Sequence, residues 1–324
     1  MDIVTIKYKA EMQEEWDDFV WKSRNGTIFH TQKFLSYHPP GKFEDCSLLF
    51  KDKGKIMAVF PAAVLREKEV LLRSHPGASY GGLILLHKAD SAVALEVLKG
   101  LIEFAKKLGC SAIQIDVAPS VYQNYPCEEI DFALHHQGFK YAYLELSSAI
   151  YLPEGELKWW AMFKDDTARS ITKALADNQI KVRESEDWEY YWEILKENLK
   201  RHSTTPAHSL KEILKLKELF PDKIRLTASY LDNKMIAGVV CFVCNKRAFI
   251  TFYHAQDYEY QQYRSMNLIL YRLMEWGFEK KYKYMVLGIS TEERGQKINW
   301  GLFRFKEGFG GRGVLRRHYR LELK

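Results

Sequence analysis

The chain has 324 residues, enough for two domains of ordinary size, and 47% of them are hydrophobic against 28% charged. This composition excludes a disordered or fibrous protein. The N-terminal residues lack the basic flank and apolar run of a signal peptide, and no stretch approaches the roughly 18 apolar residues of a membrane-spanning helix. We therefore expect a soluble, cytoplasmic protein.

The charge is unevenly distributed. Residues 1–150 carry 17 Lys and Arg against 19 Asp and Glu, a net charge of −2, whereas residues 151–324 carry 31 against 23, a net charge of +8. The basic residues are densest in 294–324. Such a cluster attracts anionic partners such as phosphate or nucleic acid, although an ordinary solvated basic face explains it equally well.

Five cysteines, an odd number scattered through apolar stretches, indicate a reducing compartment rather than a disulfide framework. Cys241 and Cys244 form a CxxC pair inside a strand-like run, but no second pair completes a zinc site. We interpret them as buried structural thiols and expect no metal.

In the first half of the chain, strand-like runs surround one long amphipathic helix. The predicted elements are strands at 47–51, 56–65, 69–73 and 83–86, a helix at 91–108, and strands at 112–116 and 141–148.

The second half opens on helices and then repeats that order. The predicted elements are helices at 156–164, 166–178, 187–201 and 208–219, strands at 224–231, 235–244 and 247–255, a helix at 265–281, and strands at 284–288 and 314–323. The polar loop that contains His202 and His208 is interpreted as a lid or connector; the alternative is that its polar residues face a cleft.

The two halves look like copies of one another. The segment KIMA at 55–58 recurs as KMIA at 234–237, and residues 101–116 align without a gap with 273–288. We predict an α/β (α+β) protein of two similar units, each a mixed, mainly antiparallel sheet flanked by helices. Because Pro153 and Gly155 mark a linker, the predicted domains are 1–152 and 153–324.

Four segments carry a family resemblance: TIFHTQKFL (27–35), SYGGLIL (79–85), residues 165–185 and, most specifically, NWGLFRFKEGFGG (299–311). With them the chain resembles the Fem aminoacyl transferases of peptidoglycan bridges and their FemAB-like and BioF2-like acyltransferase relatives. The resemblance implies two tandem GNAT-like domains around a cleft, with the acceptor on the first domain and the donor on the second.

The same resemblance implies that Phe305 and Lys306 contact the donor and stabilise the transition state. The chemistry is reasonable, because a fixed ammonium stabilises charge that develops on a carbonyl oxygen, and an aromatic face stacks a terminal base. The alternative is a core phenylalanine and a surface lysine. His254, at the end of a predicted strand, is a candidate general base; a lone histidine there is also commonly structural.

The predicted donor-binding residues combine a helix start with the basic C-terminal segment; they are Arg264, Ser265, Asn267, Asn299, Arg304, Arg312 and Arg316. A helix N-terminus attracts anions. However, the stretch before this helix lacks the glycines of the usual coenzyme A loop, which makes coenzyme A binding less expected. The predicted acceptor-binding residues are His30, Lys33, Tyr80, Gly81 and Gly82; a hairpin turn explains the two glycines equally well.

These observations predict transfer of an acyl or aminoacyl group to an amine or hydroxyl of a cell-wall or polysaccharide precursor. The donor, aminoacyl-tRNA or acyl-CoA, is a co-substrate, and no tightly bound cofactor is expected. The alternative is a catalytically idle protein that binds nucleic acid or a sugar nucleotide. Formation of a homodimer is left open.

Overall fold

The computed structural model describes residues 2–152, 160–177, 179–201 and 203–323. Pro153, Gly155, His202 and residues 156–159 of the predicted helix 156–164 lie outside the described residues, and within 160–164 only Trp160 is helical. Within these ranges, no helix has the length and apolar character that crossing a bilayer requires.

The chain forms two compact units. The first contains Met1–Leu146, Glu293–Gln296 and Leu315–Lys324, and the second contains Ser147–Glu292 and Lys297–Val314. This division falls a few residues before the predicted boundary after residue 152. It differs more at the C-terminus, because the last ten residues, which the sequence assigned to the second domain, belong to the first unit.

The elements of the first unit follow one another with short connections. Its strands are β1 (Ile3–Lys7), β2 (Glu44–Asp45), β3 (Leu48–Asp52), β4 (Lys55–Phe60), β5 (Ala62–Arg66), β6 (Val70–Ser74), β7 (Ile84–Leu85), β8 (Ala112–Val117) and the first part of β9 (Lys140–Tyr151). Its helices are α1 (Gln13–Lys22), α2 (Gln32–Leu35), α3 (Ser91–Lys107) and α4 (Glu129–His136).

Helix α3 covers the core of this unit. The Asp90 side chain caps it by accepting from the Val93 amide, and apolar residues at helical spacing, among them Val97 and Leu101, are fully buried. One sheet has the order β1-β3-β4-β7, and β8 lies beside β6 in parallel, with Leu71–Arg73 opposite Ala112–Gln114.

The second unit contains longer strands than the first. Its strands are the rest of β9, β10 (Ile180–Ser185), β11 (Ile224–Leu231), β12 (Lys234–Val243), β13 (Ala248–Gln256), β14 (Tyr284–Ile289), β15 (Thr291–Glu292), β16 (Lys297–Ile298) and the start of β17 (Arg312–Glu322), which continues into the first unit. The described helices are α5 (Asp165–Ala176), α6 (Trp188–Lys200), α7 (Leu210–Leu219), α8 (Ser265–Glu279) and α9 (Trp300–Gly308).

The sheet of the second unit has the order β10-β11-β12-β13-β14-β9. Its pairings are antiparallel except that of β13 with β14, where Ala248–Ile250 lie opposite Tyr284–Val286 in parallel. Helix α8 joins these two strands, because a parallel pair needs a crossover connection. The same strand–helix–strand order in both units confirms the predicted fold class.

Most predicted strands and helices are present, with ends displaced by a few residues. The sequence missed β1, β10, α1, α4 and, most importantly for the site, α9. The interpretation of the cysteines as buried thiols is confirmed: Cys241 and Cys244 remain in the thiol form and are completely buried.

Candidate functional site

The second unit contains a cavity of about 540 Å³ near the end of β13. After the three residues that pair with β14, strand β13 contains a bulge: Val240 of β12 lies opposite Tyr253, and the next residue, Cys241, lies opposite Thr251. Bulges re-aim the side chains that follow them. His254 and Ala255, which follow the bulge, line the cavity.

One end of the cavity is built for an anion. Arg264 lines it and has a left-handed backbone (φ 56°) immediately before α8. Ser265, the first residue of α8, is 4% exposed, and its Oγ finds no hydrogen-bond partner in the described part of the chain. Asn267 and Arg304 also line the cavity. A guanidinium group at a helix N-terminus, with a second one in the same cavity lining, favours negative charge.

Helix α9 divides the predicted catalytic pair between two environments. Asn299 caps the helix, since its Oδ1 accepts from the Leu302 amide at 3.0 Å. Phe305 lines the cavity, with its ring 5.3 Å from that of Phe309. Asn299 therefore shapes the helix that presents Phe305.

Lys306 is 3% exposed, and its Nζ donates to the carbonyl oxygens of Gly288 (2.9 Å) and Ile289 (2.6 Å). Burial lowers the pKa of Lys306 to about 7. Two of its three N–H groups are thus directed at the end of β14, and the predicted role in charge stabilisation stays a prediction.

His254 lies in a cationic setting. Burial, with a smaller effect from the charge of Lys306, lowers its pKa to about 4, so the ring is neutral at pH 7. Its Nε2 atom is buried and has no hydrogen-bond partner among the residues that the structure describes. This geometry leaves the predicted role of His254 open to test.

The two remaining donor-binding candidates lie elsewhere. Arg312 donates to the neighbouring Gly311 carbonyl oxygen at 2.9 Å. Arg316 belongs to the first unit, where it donates to the Ser79 carbonyl oxygen at 2.6 Å and lies over the ring of Tyr80 at 5.2 Å. The structure thus places Arg316 beside a predicted acceptor residue.

The predicted acceptor residues of the first unit are mostly internal. His30 is completely buried between Thr27 and the Gly81 carbonyl oxygen, and burial lowers its pKa to about 4. Tyr80 is 3% exposed, whereas Lys33 is exposed. Gly82 has φ 93°, a conformation that favours glycine.

Several cavity residues were not singled out from the sequence. Asp166, Thr167 and Ser170 of α5, Gln256 at the end of β13 and Tyr258 after it line the cavity. The available signal was their position, since polar residues that open a helix or follow a buried strand commonly face a site.

Comparison with known proteins supports the fold described above. Residues 163–306 match the family described as an acetyltransferase (GNAT) domain. No curated protein matches the chain. Among solved structures, FemX has a TM-score of 0.75 at 12% identity, with 99% of this chain and 97% of that chain covered.

Two further solved structures share the fold. The C-terminal (DUF2156) domain of a putative lysylphosphatidylglycerol synthetase from Agrobacterium fabrum has a TM-score of 0.63 at 14% identity, covering 96% and 92% of the two chains. A tandem GNAT protein from the clavulanic acid biosynthesis pathway has a TM-score of 0.57 at 9% identity, covering 99% and 98%. The chain therefore has the tandem GNAT fold, as the resemblance predicted, and residues 163–306 match the family described as an acetyltransferase (GNAT) domain.

Proposed function

We propose that the second unit transfers an acyl or aminoacyl group from a large activated donor to an amine or hydroxyl. The observation that carries the proposal is the cavity of about 540 Å³ at the end of β13, where cationic and aromatic side chains converge inside the GNAT domain. Binding sites are usually clefts of about this size with a few directed polar groups.

The donor is anionic near its reactive end. Arg264 and Arg304 line the cavity together with the N-terminus of α8, and Ser265 has a hydroxyl without a partner among the described residues. The phosphates of aminoacyl-tRNA and of acyl-CoA both carry such negative charge. Phe305 offers a ring against which a base or an acyl chain packs.

The reaction depends mainly on positioning. A cavity that holds an ester or thioester close to a nucleophile supplies much of the rate by orientation, and the cationic lining stabilises charge on the carbonyl oxygen. A cell-wall or polysaccharide precursor is our proposed acceptor, suggested by the shared fold with FemX.

Thermal unfolding with candidate donors tests the proposal. We expect alanyl-tRNA or acetyl-CoA to raise the unfolding temperature, because a ligand at 100 times its Kd adds about 2.7 kcal/mol of stability. The variant Arg264→Gln should lose most of the shift, whereas Arg169→Gln, on the same unit and outside the cavity lining, should keep it. Absence of a shift with both donors would contradict the proposal.

A further inference from the structure

The cavity of the second unit holds an acid–base group that donor binding does not use. His254 is one of the residues that line the cavity, and its buried Nε2 has no hydrogen-bond partner in the described ranges. Buried polar atoms are nearly always paired. An unpaired nitrogen beside an open cavity points to a group that arrives with a substrate.

The tautomer of His254 follows from its other bond. A hydrogen bond with the Thr251 backbone raises the pKa of the ring. A bond that favours the charged form is one in which the ring donates. Because Nε2 makes no bond, the donor is Nδ1, and the lone pair of neutral His254 resides on Nε2.

Burial, assisted by the charge of Lys306, keeps the His254 ring neutral amid the charged groups around it. Lys306 and Arg304 come from α9 and Arg264 from the residue before α8, while Tyr258 follows β13. Asp166 of α5 supplies the carboxylate of the lining, but its side chain is 92% exposed and pairs with Arg169. Burial and Lys306 lower the pKa of His254 to about 4. A bound anionic donor opposes these cations and raises that pKa.

We propose that His254 is the proton acceptor of the transfer reaction, and that it takes the proton of the attacking nucleophile at Nε2. This inference rests on the proposed function. The nucleophile's nitrogen or oxygen bonds to the acyl carbon, and its proton passes to Nε2. The bond from the acyl carbon to the carrier's oxygen or sulfur breaks, and His254 returns the proton to that leaving atom. Nothing is oxidised or reduced, and His254 ends as it began.

Lys306 acts as a positioning residue in this scheme. Its two bonds to β14 carbonyl oxygens fix its charge near His254. That charge disfavours protonation of His254 until the donor's phosphates enter the cavity. Proton uptake is thereby linked to occupancy of the site.

Long-range ¹H–¹⁵N NMR of the full chain tests the tautomer without any substrate. We expect the His254 signals, identified by their loss in His254→Gln, to show an unprotonated Nε2 at pH 7. Adding inorganic pyrophosphate should raise the titration midpoint of His254 by about one pH unit. The variant Lys306→Met should raise this midpoint without added pyrophosphate. A proton on Nε2 in the neutral ring would overturn the inference.

Kinetics tests the role itself. In transfer from alanyl-tRNA or acetyl-CoA to hydroxylamine, His254→Gln should lower kcat about 100-fold and remove the inflection from the pH profile. The donor-induced thermal shift should persist, and imidazole should restore part of the rate of His254→Ala. The control His136→Gln changes an exposed histidine of the first unit and should match the wild type.

The outcomes separate the two claims. If His254→Gln keeps the wild-type rate and pH profile, His254 is not the proton acceptor and the inference is wrong. If the wild-type protein binds neither donor, the proposed function fails, whereas an Nε2 that carries the proton contradicts the inference alone.

Discussion

The two units differ at equivalent positions, next to their parallel strand pairs. Each contains a parallel pair of strands joined through a helix, and in each the pairing covers three residue pairs: Leu71–Arg73 with Ala112–Gln114, and Ala248–Ile250 with Tyr284–Val286. In the second unit, the strand continues into the wall of the cavity.

In the first unit, the chain itself occupies the space after β6. Gly81 forms a parallel bridge with Val117, and its amide donates to the Asp116 carbonyl oxygen at 2.8 Å. A Cβ at Gly81 would come within 2.7 Å of the Ser74 side chain. Tyr80 packs against Phe29 and Tyr122. Residues 80 and 81 therefore fill the space beside the end of β8 in the first unit, whereas the second unit has its cavity at the end of β13; the first unit also contains a cavity of about 480 Å³, lined among others by Phe43 and His75.

Removing the closing side chain should have the largest effect on stability. Tyr80→Ala leaves a cavity among Phe29, Tyr122 and Arg316, and we expect a loss of about 3 kcal/mol in the free energy of unfolding. Urea denaturation measures it. Tyr125→Ala, at a tyrosine that is 55% exposed, should cost less than about 1 kcal/mol. Equal losses would mean that Tyr80 does not fill the first unit.

Filling the cavity of the second unit with a larger side chain should affect donor binding more than folding. Ser170→Trp places an indole in the cavity, so we expect at least about tenfold weaker donor binding, or about 1.4 kcal/mol. Calorimetric titration with alanyl-tRNA or acetyl-CoA measures the change, and Ser170→Ala is the size control. Unchanged affinity in the tryptophan variant would place the donor elsewhere.

The two units should also differ in how their stability depends on pH. The pKa of Lys306 is about 7 in the folded protein, below its usual value of 10.5. The unfolded chain thus binds more protons between about pH 7 and pH 10, and this contribution raises stability as pH rises. Lys306→Met should remove that rise.

His318 of the first unit should behave in the opposite way. Burial lowers its pKa, but the hydrogen bonds with Asp116 (2.6 Å) and Glu145 (3.2 Å) outweigh burial, and the net shift is upward. Its contribution is complete below its ordinary pKa of 6.5 and is lost as pH rises through the folded value. Urea denaturation of Lys306→Met and His318→Gln across this range compares them; equal slopes in both variants would refute the assignment.

The sequence predicted elements whose hydrophobic pattern is strong. The strand at 224–231 agrees with β11 at both ends, and the helix at 265–281 differs from α8 only at its end. Helix α9 was missed because Gly301 and Gly308 lower helix propensity, whereas burial of Phe303 and Lys306 stabilises it in the fold.

The site was only partly predictable. Arg264, Ser265 and Phe305 could be found because a strand–helix junction and a motif mark them. The burial of His30 and Tyr80 could not be predicted, since it depends on contacts with residues far along the chain. For the same reason the sequence did not assign Arg316 to the first unit.

Strand β17 has a consequence for synthesis of the protein on the ribosome. It pairs Arg317–Glu322 with Val117–Ala112 of β8, so the first unit obtains one of its strands from residues that are translated after the second unit. Domains generally fold in order of emergence. Here one strand edge of the first unit stays unpaired until the second unit has been synthesised. We therefore expect chaperones that protect such edges to bind the nascent chain.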